Sequence, residues 1–111
     1  MDPITWEDFE RIELRVGTVV RAEPFPEARK PSYKLWVDFG EHGVRQSSGQ
    51  FTALYELEVI VGKQVIGVLN FPPKRIAGFE SQVLITGFEQ SPGKIVFAVP
   101  EKPVPNGSKL F

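Results

Sequence analysis

In the segment Arg11-Ile-Glu-Leu-Arg-Val-Gly-Thr-Val-Val20, apolar Ile12, Leu14 and Val16 alternate with Glu13 and Arg15, Gly17 interrupts, and Val19-Val20 resume. Period-two alternation gives a strand one face for a core and one for water, and a glycine inside it marks a bend. A chain that begins this way is suited to a sheet that curls around a small barrel. Arg15 falls on the polar face of that strand.

The rest of the chain continues the theme. Thr5 before Trp6-Glu7-Asp8 reads as the N-cap of a short helix with acids in its first turn. Trp6 and Phe9, three apart, share one face of it. The first strand is predicted from Ile12 to Phe25. Pro24, Pro26 and Pro31 then stiffen a loop whose tip carries Arg29 and Lys30. From Tyr33 to Phe39 alternation is strict, with Tyr33, Leu35, Val37 and Phe39 on one side and Lys34, Trp36 and Asp38 on the other. Trp36 on the polar side either packs beneath a neighbouring element or offers a binding surface.

Gly40 to Gly43 reads as a hairpin turn and Val44 to Ser48 as a third strand. Leu54 to Val61 is a helical or turn segment that ends at Gly62-Lys63. Gln64 to Asn70 is nearly all apolar, as a strand covered on both sides would be. A second proline-braced loop, Phe71 to Phe79, holds Lys74 and Arg75. Strands are expected over Ser81–Gly87 and Ile95–Val99, with a turn at Ser91-Pro-Gly93. The tail from Pro100 closes on Leu110-Phe111, two large apolar residues that call for burial inside the molecule or against a partner. Trp6, Phe9, Leu110 and Phe111 are therefore candidate interface residues.

Short strands, a bent first strand and a helical connection between strands three and four point to an all-β, five-stranded Greek-key barrel of the OB-fold type, with a short N-terminal helix and a C-terminal β extension. An SH3-like barrel would read similarly. The 111 residues are expected to form one domain, its core spanning about residues 9–88 and its extension 89–111.

Composition narrows the function. There is no cysteine, which excludes disulfides, thiolate catalysis and cysteine metal sites. The acidic start of the chain is unlike a signal peptide, and no apolar run approaches the length of a membrane span, so a cytoplasmic protein without membrane insertion is expected. Thirteen Lys and Arg nearly cancel fourteen Asp and Glu. Any grip on nucleic acid must then come from local placement, and two basic clusters, Arg29, Lys30 and Lys34 in one segment and Lys74-Arg75 in another, are the local candidates. His42, the single histidine, sits in a turn tip where a solvated residue is expected, beside Glu41 but with no nucleophile near it in sequence. No phosphate-cradling glycine loop, metal-spaced ligand set or nucleophile motif is present, so the expectation is a binding module that is not an enzyme and takes no metal or cofactor.

The residues resemble the tRNA-binding domain that occurs free-standing and appended to some aminoacyl-tRNA synthetases. Phe9 followed by Glu13-Leu-Arg-Val-Gly17 is similar to its opening. Ser32-Tyr-Lys-Leu35, Ser48-Gly49, Gly62-Lys-Gln-Val65, Asn70-Phe-Pro-Pro73 and Gly78-Phe-Glu-Ser81 are similar to its later motifs, in order. Pro72 stands where the family has a lysine, and Gln82-Val-Leu where it has Glu-Gly-Met. Phe25 to Pro31, Asn70 to Pro73 and the ending Pro103 to Phe111 resemble a branch of export-related chaperones within that family.

This resemblance implies a homodimeric OB-fold that binds unfolded or pre-export polypeptides and keeps a surface related to the tRNA-binding one. The peptide-binding candidates are Phe25, Trp36, Phe71 and Phe79. The tRNA-binding candidates are Arg15, Lys34, Asn70 and Ser81 at matching positions, with Arg29, Lys30, Lys74 and Arg75 extending the surface. Arg15 has a structural alternative, an ion pair with a strand neighbour such as Glu13 or Asp38.

Overall fold

A computed structural model describes residues 1–111. Helix α1, Trp6–Glu10, begins as its residues predict: Thr5 Oγ1 accepts from the Asp8 amide and Asp8 returns the bond to the Thr5 amide, a reciprocal cap. The strands are β1 (Leu14–Pro24), β2 (Tyr33–Asp38), β3 (Val44–Gly49), β4 (Gln64–Val68), β5 (Lys74–Ile76), β6 (Phe79–Ser81), β7 (Leu84–Ile85), β8 (Gly87–Ser91) and β9 (Lys94–Phe97). A 3-10 turn, Gly40–His42, joins β2 to β3, and helix α2, Leu57–Ile60, lies between β3 and β4.

The main sheet has the order β3-β2-β1-β4-β7. β1 serves both of its neighbours by changing partner at Thr18: residues 14–18 pair with β4 and residues 18–24 with β2. The register slips between Val19 and Arg21, so the irregularity sits at Val20, just beyond the glycine that the sequence singles out. Gly17 does something else. A Cβ there would lie 2.6 Å from Val37 Cγ1 and 2.8 Å from the Asp38 carbonyl, so its bareness lets β1 and β2 cross closely.

β3 meets the far end of the sheet through side chains as much as backbone. The Gln82 amide donates to the Gln46 carbonyl at 2.8 Å, Gln46 Nε2 to the Glu80 carbonyl at 2.8 Å, and Ser47 Oγ to the Val83 carbonyl at 2.7 Å. The result is a nearly closed five-stranded barrel of the OB type, which sets aside the SH3-like alternative. Leu35, Val37, Phe39, Ile60 and Val65 are wholly buried inside it, and Phe51 stacks on Phe97 at 3.9 Å. Tyr33 Oη donates to the Tyr55 carbonyl, and Tyr55 Oη accepts from the Phe97 amide. Burial, then the nearby Glu56 and Glu58, push the Tyr33 hydroxyl above its usual range.

Several bounds differ from the sequence reading. β1 starts at Leu14, leaving Ile12 exposed. Only Leu57–Ile60 of the Leu54–Val61 segment is helical. The segment expected as the loop Phe71–Phe79 holds β5 and the first residue of β6, and the strand expected over Ser81–Gly87 is divided among the end of β6, β7 and the start of β8. The tail runs along β1 where β2 leaves it: the Val16 amide donates to the Ser108 carbonyl, and the Gly107 and Leu110 amides donate to Val16 and Leu14. No helix is long and apolar enough to cross a membrane.

Candidate functional site

The two basic clusters converge except for Lys34, which stays off the groove they form. Arg29 and Lys30, from the proline-stiffened β1–β2 loop, line one groove of 870 Å³ with Lys74 and Arg75 of the β5–β6 hairpin. Ser32, Ser48 and Gln50 add polar groups, and no carboxylate lines it. None of the four cations has a salt bridge. Arg75 donates to the Gly78 carbonyl at 2.8 Å and stands opposite Glu80 in the hairpin register, which leaves Arg29, Lys30 and Lys74 the freer charges. A chain with a net charge of −1 thus presents a locally cationic channel.

An apolar cleft of 490 Å³ adjoins the groove, lined by Phe71, Pro72, Ile76, Val83 and Leu84 among others. Ser48, Lys74, Ile76 and Leu84 belong to both, so the surface is continuous. Phe71 is 55% and Leu84 50% exposed, large apolar groups that water does not favour. Two prolines after Phe71 fix its backbone at little ordering cost.

The other aromatic candidates sit elsewhere. Phe25, a peptide-binding candidate, is 3% exposed and so is not open to a ligand in this structure. The cause is Phe79, whose ring meets Phe25 edge-on at 5.5 Å and Trp36 at 5.9 Å. Lys34 Nζ lies 4.8 Å from the Phe25 ring centre and 5.0 Å from that of Phe79. Arg21 covers the Trp36 ring at 4.5 Å. Trp36 is half-buried, edge-on to Phe79 and covered by Arg21, and lines neither the groove nor the cleft.

Of the remaining tRNA candidates, Arg15 takes the structural alternative. Its Nη2 is 2.7 Å from Glu13 Oε1, and its Nη1 donates to the Gly107 carbonyl. Lys109 Nζ reaches the other Glu13 oxygen at 3.2 Å. Arg15, then Lys109, hold the Glu13 carboxyl below the usual carboxylate range. Asn70 is used at both ends of its amide, accepting from the Glu13 amide and donating to the Arg11 carbonyl. Ser81 lines the apolar cleft, its Oγ 3.4 Å from the Ser48 amide and from Ser47 Oγ.

Trp6, Phe9, Leu110 and Phe111 come together. With Glu10 and Lys109 they line a shallow cleft of 220 Å³. Trp6 meets Phe9 edge-on at 6.4 Å yet remains 76% exposed, and Phe111 is fully exposed. Within one copy Trp6, Leu110 and Phe111 are exposed while Phe9 is half-buried.

Residues 14–109 match the family described as "Putative tRNA binding domain". Among solved structures, the chaperone CsaA of Bacillus anthracis str. Ames superposes with a TM-score of 0.94 at 46% identity, covering 99% of this chain and 100% of that one. The CsaA chaperone protein of Picrophilus torridus gives 0.88 at 38% identity, covering 98% and 100%. A methionyl-tRNA-synthetase-related protein of Pyrococcus horikoshii gives 0.86 at 30%, covering all of both chains. Among curated proteins, the methionine–tRNA ligase of Flavobacterium johnsoniae is 36% identical over 98% of this chain. The chain spans about 15% of the length of that ligase and of its counterpart from Methanococcoides burtonii.

Sequence reasoning missed Ser48, Ile76 and Leu84 as lining residues. Ser48 was visible only as part of a motif, and Leu84 only as the outward member of Val83-Leu-Ile85. With a family match across most of its length and full-length CsaA superpositions, the chain belongs to the tRNA-binding-domain family and, within it, to the CsaA group.

Proposed function

We propose that the chain is a non-enzymatic, homodimeric chaperone that holds unfolded or pre-export polypeptides in the cytoplasm. The observation that carries this reading is the open cleft at Phe71 and Leu84, whose apolar side chains are presented on a proline-braced segment beside polar and cationic groups. Sequence-tolerant capture of an unfolded chain needs that combination: an apolar pocket for affinity and polar neighbours for orientation. The solved CsaA relatives are named as chaperones, which supports it. The test is fluorescence anisotropy with a labelled, denatured preprotein. Phe71→Ala should weaken binding by about tenfold, the scale of losing most of one buried aromatic side chain. Unchanged affinity would refute the assignment of the cleft.

A second reading, tRNA binding, is favoured by a separate observation, the convergence of Arg29, Lys30, Lys74 and Arg75 on a groove without carboxylates. Phosphate contacts make affinity fall steeply with salt, whereas apolar capture is far less salt-sensitive. Lys74→Ala with Arg75→Ala should flatten the log–log salt dependence of tRNA binding by about one unit per cation removed. Polypeptide binding should survive that change, and its loss would show that the two activities share one site.

A further inference from the structure

We propose that Lys34 and Phe79 are positioning residues that hold the β5–β6 hairpin over the cationic groove and make no contact with the bound polymer themselves. The inference rests on the tRNA reading of that groove. The hairpin carries Lys74 and Arg75 and is tied to the barrel at two places. At its root, Gln46 Nε2 binds the Glu80 carbonyl and the Gln82 amide binds the Gln46 carbonyl. At its tip, beside the Ala77-Gly78 turn, the attachment is aromatic: Phe79 lies edge-on to both Phe25 and Trp36. Lys34 directs its ammonium at the Phe25 and Phe79 rings together, at 4.8 and 5.0 Å. A cation in that place bridges strand β2 and the hairpin through two ring faces. Arg21, paired with Glu23, covers Trp36 at the far side of the cluster.

This arrangement separates two kinds of lysine in one region. Lys74 is exposed and lines the groove. Lys34 lines neither the groove nor the apolar cleft. Removing a phosphate contact lowers the salt slope by about one unit, whereas removing a positioning group lowers affinity at every salt concentration and leaves the slope in place.

The experiment titrates the full-length protein with bulk tRNA across a salt series for the wild type, Lys34→Met, Phe79→Ala, Phe79→Tyr and Lys74→Ala. Amide exchange at Ile76 and Phe79 is followed without RNA. Lys34→Met should weaken tRNA binding by roughly three- to tenfold, the scale of a cation–π contact, with an unchanged slope and faster exchange in the hairpin. Phe79→Ala should do the same more strongly, and Phe79→Tyr, which keeps the ring, should restore both. Lys74→Ala should lower the slope and leave exchange alone. A slope lowered by Lys34→Met would make Lys34 a phosphate contact and overturn the proposal. Unchanged hairpin exchange in both Lys34→Met and Phe79→Ala would overturn it too. If the wild type fails to bind tRNA, the RNA reading falls, while the exchange data still decide whether these residues position the hairpin.

Discussion

Ser47 Oγ donates to the carbonyl of Val83 at 2.7 Å, from a residue that is 1% exposed. It is the one buried polar residue in the barrel interior, and it lies where β3 meets the segment leading into β7. The sheet order leaves β3 at one edge, so this bond and those of Gln46 perform the closure that a backbone ladder performs elsewhere.

Ser47→Ala should therefore destabilise the fold. It leaves the Val83 carbonyl with only Ser81 Oγ at 3.4 Å, and an unsatisfied buried carbonyl costs about 1–3 kcal/mol. Urea denaturation should show a lower midpoint with an unchanged slope. A midpoint equal to that of the wild type would mean that Ser81 takes over the bond.

Glu13 links β1 to the tail, since Arg15 holds one of its oxygens and Lys109 the other. Its folded-state pKa is depressed, so its contribution is present above the unfolded carboxylate value and is lost as pH falls through the folded one. Protection of the Gly107 and Leu110 amides should decline as pH drops below about 4, the ordinary glutamate range. Glu13→Gln should show weak protection at neutral pH and little further change on acidification. Protection that stays constant in the wild type down to pH 2 would contradict this linkage.

How far the sequence could be read follows from how local each signal is. The Thr5 cap and the alternation of β2 involve neighbours in the chain and are legible. The β5–β6 hairpin is not: it has three residues per strand and follows two prolines, so it resembles a loop. β8 was hidden in the same way, because Glu89, Gln90 and Ser91 give no apolar alternation. For the site, the charges of Arg29, Lys30, Lys74 and Arg75 were visible but their meeting was not, since it depends on how the barrel brings distant loops together. Phe25, Lys34 and Phe79 read as ligand contacts singly; only their mutual packing shows that they satisfy one another.

Ala77 has φ of +48°, followed by Gly78 at +81°, and these two residues connect β5 to β6. A two-residue turn with both φ values positive matches the twist of a hairpin and favours asparagine then glycine. Alanine is disfavoured in the left-handed region by roughly 1–2 kcal/mol. Ala77→Asn should raise thermal stability by up to about 1 kcal/mol, and Ala77→Val, β-branched at the same φ, should lower it. The reverse order of melting temperatures would show that the turn adopts another conformation in solution.

The exposed Trp6 and Phe111 give a test of self-association. Truncation after Gly107 is expected to weaken a dimer, but it also removes the Ser108 and Leu110 ladder bonds and the Lys109–Glu13 pair, so the monomer would suffer as well. Trp6→Ala and Phe111→Ala leave those bonds in place and remove only apolar surface. A tryptophan at the centre of an interface commonly contributes about 2 kcal/mol or more, so if the proposed dimer is built on this face, Trp6→Ala should raise its dissociation constant by about thirtyfold in sedimentation equilibrium. Phe111→Ala should act in the same direction, and the melting curve of the monomer should barely move, because neither side chain is buried within one copy. A wild type that stays monomeric would refute the proposed dimer, and an unaltered dissociation constant in both variants would move it to another face.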